Sequence, residues 1–517
     1  MKKIYLGLCL SAAVFTTSCD MDTTNYGVID TTTYIQTMDD CKAFVNGMYT
    51  HMRGKAGGTY LFYPDVQMDQ FIGIVDNGNR GGIYSKGEVQ PGDTDLANIY
   101  YNLYIQVNDA NYFVPRVDEM IKSGNFTEAE VALLNYYKGV AMFSRSYAYW
   151  YLFDKYVFYS EANLDTPGMG LQIEKEYRPS GDRSSYVGRS TIRESVEYVA
   201  TELQTAYDLV RAYEVNVSAE YCSPNAIRVS SYTIAALQAR FALLVGDYAT
   251  AAAKAELVIE SGNYALTEIA DYADMWVNDE GSELLFVPFA APGTGGQSIG
   301  ANYLRSNKAQ ESDYIPTAEV LLSYDEGDVR FDAFFTVFNP LVVQGENFVA
   351  YAFTKFNGNP ALNTGTANAM LNKAKPFRLS ELYLIAAEAY AADGAQKDEA
   401  KANAYLDDLR VARIDGFDPE ADNYSGSALV NQIRAERGKE LIGEGFRMGD
   451  LRRWGNGFTR DAGFDIFTNA LANIMDVIVN AADGVTYTAN DYRFVWPIPT
   501  REMQVNPQLN GQQNPGY

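Results

Sequence analysis

The chain has 517 residues, and 66 acidic against 41 basic side chains give it a formal net charge of −25, so it offers no basic face for nucleic acid or anionic lipid headgroups. Its 47% apolar content is ordinary for a globular protein, and the length suffices to bury a large core. A single histidine removes imidazole-based metal sites and histidine-dependent nucleophilic triads, while 39 tyrosines are the compositional outlier.

The first element is an export signal. Lys2 and Lys3 precede an apolar run from Ile4 to Phe15, and small polar residues lead to Cys19. That run is too short to span a bilayer as a mature helix. A cysteine at the cleavage point marks a lipoprotein: residues 1–18 leave and Cys19 becomes the acylated first residue. Thr16 departs from the pattern, since Leu is usual there. Two or more acyl chains anchor durably where one holds marginally. The alternative is a soluble secreted protein in which Cys19 is incidental. No later apolar run approaches the length of a membrane span. Cys9 leaves with the signal, so only Cys41 and Cys222 remain to pair, too few for a disulfide scaffold.

Helical signals dominate the mature chain, which reads as one domain over residues 19–517. Thr37 caps a helix ending near Met52, with Phe44, Val45 and Met48 at helical spacing. Asp95 to Ile121 reads as a helix interrupted at Pro115. Thr127 with Glu130, and Thr191 with Glu194, are capping boxes opening two further helices. Residues 231–261 and 380–413 read as helix–turn–helix units. Gly246 and Asp247 mark the first turn, Asp393 and Gly394 the second. Ala239, Ala242, Ala252 and Ala255, then Ala386, Ala389, Ala400 and Ala402, allow close helix approach, as in tetratricopeptide-type repeats. Residues 280–378 lose this periodicity: Glu283 to Phe289 reads as a strand, followed by Gly-rich and Asn-rich loops. Residues 60–92 are similar, with turn signals through Asp76-Asn77-Gly78-Asn79-Arg80-Gly81-Gly82. The tail from Trp496 to Tyr517 is Pro-rich and Asn-rich, and reads as extended chain laid across the body.

The run Ile433-Arg434-Ala435-Glu436-Arg437-Gly438-Lys439-Glu440-Leu441 leads into Glu444-Gly445-Phe446-Arg447 and Asp450-Leu451-Arg452-Arg453-Trp454. This resembles the C-terminal signature of the SusD/RagB family of Bacteroidetes outer-membrane lipoproteins. Ala43-Phe44-Val45-Asn46-Gly47-Met48-Tyr49 is similar to that family's first helix. Phe377 to Leu384, with Ala386, Ala387 and Glu388, resembles its late repeat helix. Trp496-Pro497-Ile498-Pro499, Glu502, Asn506-Pro507 and Asn514 to Tyr517 resemble its closing tail. The resemblance implies an all-α fold: a tetratricopeptide-like helical-hairpin scaffold with long inserted loops and minor β structure. It also implies no catalysis and no cofactor. Instead it implies a surface-exposed, lipid-anchored outer-membrane protein that captures a glycan (or, in some branches, peptide) and passes it to a SusC-like TonB-dependent transporter. Asp20 and Asp22 loosely suit the acidic surface-export signal of such lipoproteins.

On its own terms the signature reads as structure. Glu440 and Glu444 lie four apart on a helix and repel unless cations intervene. Arg434, Arg437, Arg447 and Arg452 are the candidates for that role, in a partly buried ion network.

Catalytic motifs fare poorly. Gly296-Gln297-Ser298-Ile299-Gly300 matches a nucleophile elbow, but that fold needs a histidine after the serine, and the single histidine is His51. Asp76 to Gly81 misses the calcium-loop pattern at its third and fifth positions. A glycoside hydrolase needs only two carboxylates, so that alternative survives on spacing alone. Sugar capture needs aromatic faces and Asn, Asp or Arg side chains on loops held by a rigid frame. Tyr100, Tyr101 and Tyr104, and Tyr147, Tyr149 and Tyr151 with Trp150, fall within helices and read as packing. The candidates for ligand contact are therefore Asp76, Asn77, Asn79, Arg80 and Tyr84 near residues 60–92, and Asn302, Tyr303 and Tyr314 near residues 290–375. A purely structural repeat adaptor would not need those loops.

Overall fold

The computed structural model describes residues 35–73, 81–304, 311–312, 314–343, 346–365, 369–460 and 484–517. Its helices begin where the sequence supplies caps. Thr37 opens α1 (Met38–Lys55): its hydroxyl accepts from the Asp40 amide at 3.1 Å, and the Asp40 carboxylate accepts from the Thr37 amide at 2.9 Å. After the short α2 (Thr59–Val66) and α3 (Gly82–Ser85), Asp93 caps α4 (Thr94–Ser123). Thr127 and Thr191 make reciprocal capping boxes for α5 (Glu128–Tyr156) and α6 (Ile192–Asn216).

The expected break at Pro115 does not occur, and α4 runs on to Ser123. Proline removes one backbone bond and costs about 3 kcal/mol in a helix interior. Leu103, Val107, Ala110, Phe113, Val117 and Met120 form a fully or nearly buried stripe through the same stretch, and its burial offsets that cost.

The helices stack as a continuous array. α4 packs on α5, α5 on α6, α6 on α7 (Ser231–Leu244), and α7 on α8 (Tyr248–Ile259). The chain then leaves the array and returns as α12 (Leu379–Ala391), which packs against both α8 and α13 (Glu399–Val411); α14 (Gly426–Glu440) follows against α12. The two hairpins expected at 231–261 and 380–413 are thus adjacent layers of one stack. Small residues explain the close approach: Ala239, Ala242, Ala252, Ala255, Ala386, Ala389 and Ala402 are buried, and only Ala400 of the expected set faces solvent. At Gly139 of α5, a Cβ would lie 2.8 Å from Val210 and 3.1 Å from the Ala206 carbonyl of α6. None of the described helices is long and apolar enough to cross a membrane.

The departing segment supplies α9 (Ile269–Asn278), α10 (Ala318–Leu322) and α11 (Val329–Phe334), and α15 (Arg447–Trp454) follows the array. The described strands form two-stranded ribbons. β1 (Phe71–Gly73) pairs with β3 (Tyr314–Pro316), and β2 (Leu284–Phe286) with β6 (Phe377–Arg378). β4 (Phe335–Val343) pairs with β5 (Glu346–Phe353), and β7 (Phe458–Arg460) with β8 (Val485–Tyr487). The strand expected over 283–289 is the shorter β2. Cys41 and Cys222 are free thiols; the Cys41 sulfur lies 3.6 Å from Met120 Sδ. The tail does lie across the body, with a short helix at Thr500–Val505. Trp496 is fully buried and donates from Nε1 to Gln67 at 2.9 Å, while Asn514 donates to the carbonyls of Tyr156 and Trp496.

A buried ion network joins the departing segment to the array. Glu440, at the end of α14, accepts from Arg378 at 2.7 Å, Arg413 at 3.0 Å and Arg330 at 3.2 Å. Glu283 accepts from Arg378 at 2.8 Å and Arg413 at 2.7 Å. Glu444 accepts from Arg378 at 2.6 Å and from Lys355 at 2.7 Å. These cations replace those expected from the signature. Arg437 bonds Asp450, Arg447 bonds Asp69 and Arg452 bonds Asp154, while Arg434 lies over the Trp454 ring. Helical spacing reports only near neighbours, whereas the partners of Glu440 stand 27, 62 and 110 residues away.

Burial pushes the Glu440 carboxyl up, but the guanidiniums of Arg413, Arg378 and Arg330 outweigh it and hold the group well below the usual carboxylate range. Glu444 is held down in the same way by Arg378 and Lys355. Burial also brings the Lys355 ammonium down to about 8. A carboxyl whose folded pKa is depressed contributes stability above its unfolded value of 4.5, and loses it as pH falls through the folded value. The urea midpoint is therefore expected to hold between about pH 6 and 5 and to fall steeply below about 4.5. A midpoint insensitive to acid down to about pH 3 would contradict this.

Candidate functional site

The β1–β3 ribbon brings the two expected loop regions together. Phe71 stands opposite Pro316, Ile72 opposite Ile315 and Gly73 opposite Tyr314, in antiparallel register. The chain enters residues 74–80 directly after Gly73, and the second segment ends directly before Tyr314. The neck of the second segment is closed by a bridge between Leu304 and Ser312, and Ser312 donates to the carbonyl of Tyr314 at 2.7 Å. The first segment returns at Gly81, whose φ of 71° is a left-handed conformation. A Cβ there would also lie 3.0 Å from the Tyr314 hydroxyl and 3.1 Å from the Phe62 ring, so glycine is required twice over.

Beneath this edge lies a floor of aromatic rings. Tyr303 meets Phe62 edge-on at 5.1 Å and Phe353 at 4.8 Å, and Tyr314 meets Phe62 at 5.2 Å. Tyr84 stacks on Tyr63 at 3.8 Å and donates to Asp93 at 2.7 Å. The expectation that Tyr84, Tyr303 and Tyr314 reach a ligand is corrected here: they are 1%, 0% and 2% exposed. Rings of this size gain more by leaving water than a loop position would return, and the glycine-rich surroundings hid that in the sequence. Asn302 is half-buried in the turn Gly300–Asn302. Asp76, Asn77, Asn79 and Arg80, like Cys19, lie outside the described residues.

Next to the α1–α2 junction, Arg53 reaches the Phe289 carbonyl at 2.5 Å, and Gly57 abuts Gln297. Phe289 itself is 56% exposed. In the sequence it closes an apolar run that reads as strand, which gives no sign of this exposure. Ser298 donates to the Ala369 carbonyl at 2.8 Å, and His51 pairs with Asp109 at 2.6 Å between α1 and α4, so the elbow motif has no histidine beside it. Glu440 and Glu444, the paired carboxylates of the signature, are saturated by buried cations. What the edge can do chemically is present loop side chains from a rigid aromatic base.

The described fold is a stacked helical-hairpin scaffold in which one ribbon holds the two segment necks together. The SusD family pattern matches residues 342–517, and the pattern of a family described as "starch-binding associating with outer membrane" matches residues 21–243. None of the curated proteins matches the sequence. Among solved structures, a SusD superfamily protein from Bacteroides thetaiotaomicron VPI-5482 superposes with TM-score 0.73 at 24% identity, covering 93% of this chain and all of that one. A SusD-like carbohydrate binding protein from Bacteroides vulgatus ATCC 8482 gives TM-score 0.72 at 18% identity, over 92% of this chain and 98% of its own. A laminarin binding SusD-like protein gives 0.65 at 18% identity, over 93% and 100%. The chain belongs to the SusD family.

If Tyr314 is floor rather than ligand contact, Tyr314→Ala is expected to lower unfolding free energy by about 3–5 kcal/mol, as for other buried aromatics. Urea denaturation checks this, and a loss below about 1 kcal/mol would return the residue to the surface.

Proposed function

We propose that the protein is a lipid-anchored receptor on the outer face of the outer membrane. It captures an oligo- or polysaccharide and delivers it to a SusC-like TonB-dependent transporter, without cleaving it. The observation that carries the reading is the register of β1 with β3. Two polar stretches far apart in sequence, residues 74–80 and 305–313, join one end of one ribbon, whose neighbouring aromatic rings are buried. Rigid frames with variable polar loops suit recognition of hydroxyl-rich ligands. Membership of the SusD family, and relatives described as carbohydrate binding and laminarin binding, point the same way. On this reading Asp76, Asn77, Asn79 and Arg80 bond sugar hydroxyls, Asn302 is a further contact, and Cys19 bears the lipid.

The test is native affinity electrophoresis of the mature chain through gels containing laminarin, starch, xylan, mannan or pectin, with reducing ends assayed in parallel. At least one glycan should retard the protein with no reducing ends released. Alanine at Asp76, Asn77, Asn79 and Arg80 together should weaken retardation about ten-fold while leaving the urea midpoint in place. Release of reducing ends, or retention indifferent to the four substitutions, would contradict the reading. Retention by none of these gels, with heat released on titrating peptide digests, would move the ligand class to peptides.

A further inference from the structure

A second hollow lies away from the ribbon, where α4, residues 172–190 and the tail helix Thr500–Val505 meet. It is lined by Tyr101, Tyr104, Gln172, Glu174, Tyr177 and Glu502 and encloses about 370 Å³. The segment 172–178 separates this hollow from a further one of about 750 Å³ walled by α6, which Ile173 and Lys175 line from its other face.

Its floor is built. Gln172 is 7% exposed; its side-chain oxygen accepts from Tyr100 at 3.3 Å and its carbonyl accepts from Tyr104 at 3.0 Å. Glu174 and Glu502, two carboxylates from distant parts of the chain, line the hollow beside it. Burial raises both carboxyls, and Glu502 raises Glu174 further. The Tyr101 hydroxyl is buried with no partner among the described residues. Tyr177 stands 39% exposed, braced edge-on by Tyr112 at 5.2 Å.

We propose that this hollow is a second saccharide site, holding a neutral glycan independently of the ribbon edge. The proposal rests on the reading that the protein binds saccharide. Sugar hydroxyls donate to Glu174 and Glu502 without adding charge to a partly desolvated pair, and tyrosine rings offer flat faces to the C–H side of each unit. An anionic ligand is disfavoured, because Glu174, Glu176 and Glu502 line this hollow against one cation, Arg178, which lies 3.5 Å from Glu176.

The experiment is hydroxyl-radical footprinting of the mature chain with laminarihexaose, maltohexaose, cellohexaose, xylohexaose and mannohexaose, followed by calorimetry with any that protect. Protection of peptides spanning 100–108, 174–186 and 500–506 is expected. Tyr177→Ala, at an exposed position, and the isosteric Glu502→Gln should each weaken binding in the hollow about ten-fold, while protection near residues 71–73 and 311–316 persists. Protection confined to the ribbon edge, or unchanged in both variants, overturns the second site alone. Binding of calcium without any hexasaccharide would also overturn it. Protection nowhere, by any of the sugars, removes both sites together.

Discussion

The buried arginine–carboxylate knot around Glu440 is the constraint on which the remaining architecture depends. Charges taken out of water are costly unless each finds partners of good geometry. Here Arg330 comes from α11, Arg378 from β6, Arg413 from beyond α13, and Glu283 from just before β2. The knot therefore fastens the long excursion between α8 and α12 onto the end of α14. That excursion carries β3, and β5 packs on β3, so the position of the ribbon edge follows from charges buried well behind it. Such a network contributes less to net stability than to fixing which segments lie together, because any misplacement strands a charge.

Much of the scaffold was legible in the sequence, because its signals are local. Thr37, Thr127 and Thr191 each start a helix in the expected place, since a cap needs only residues three positions away. The alanines of the two hairpins foretold close packing for the same reason. Pro115 misled because its penalty is local, whereas the buried stripe that outweighs it is not. The knot was half legible: Glu440 and Glu444 plainly needed cations, but the cations come from segments that no helical spacing connects to them.

The loop regions divided in the same way. Gly81 signalled a turn, and the turn exists. The tyrosines nearby read as ligand contacts because glycine and asparagine surround them, yet Tyr84, Tyr303 and Tyr314 pack as floor. Conversely, Tyr101 and Tyr104 read as helical packing and stand half-buried at the wall of a hollow. An abundance of tyrosine serves both purposes: the ring fills space, and the hydroxyl finds a partner inside or a ligand outside. Sequence alone does not separate these uses, because the difference is which neighbour covers the ring.

The most direct test of the central claim is amide hydrogen exchange in the Glu440→Gln variant, which keeps the side chain's shape and removes its charge. The account predicts faster exchange at β1 and β3, and across β2 and β6, with α4 to α6 protected as before. Unchanged protection at residues 71–73 and 314–316, alongside faster exchange elsewhere, would show that the ribbon edge stands without the knot.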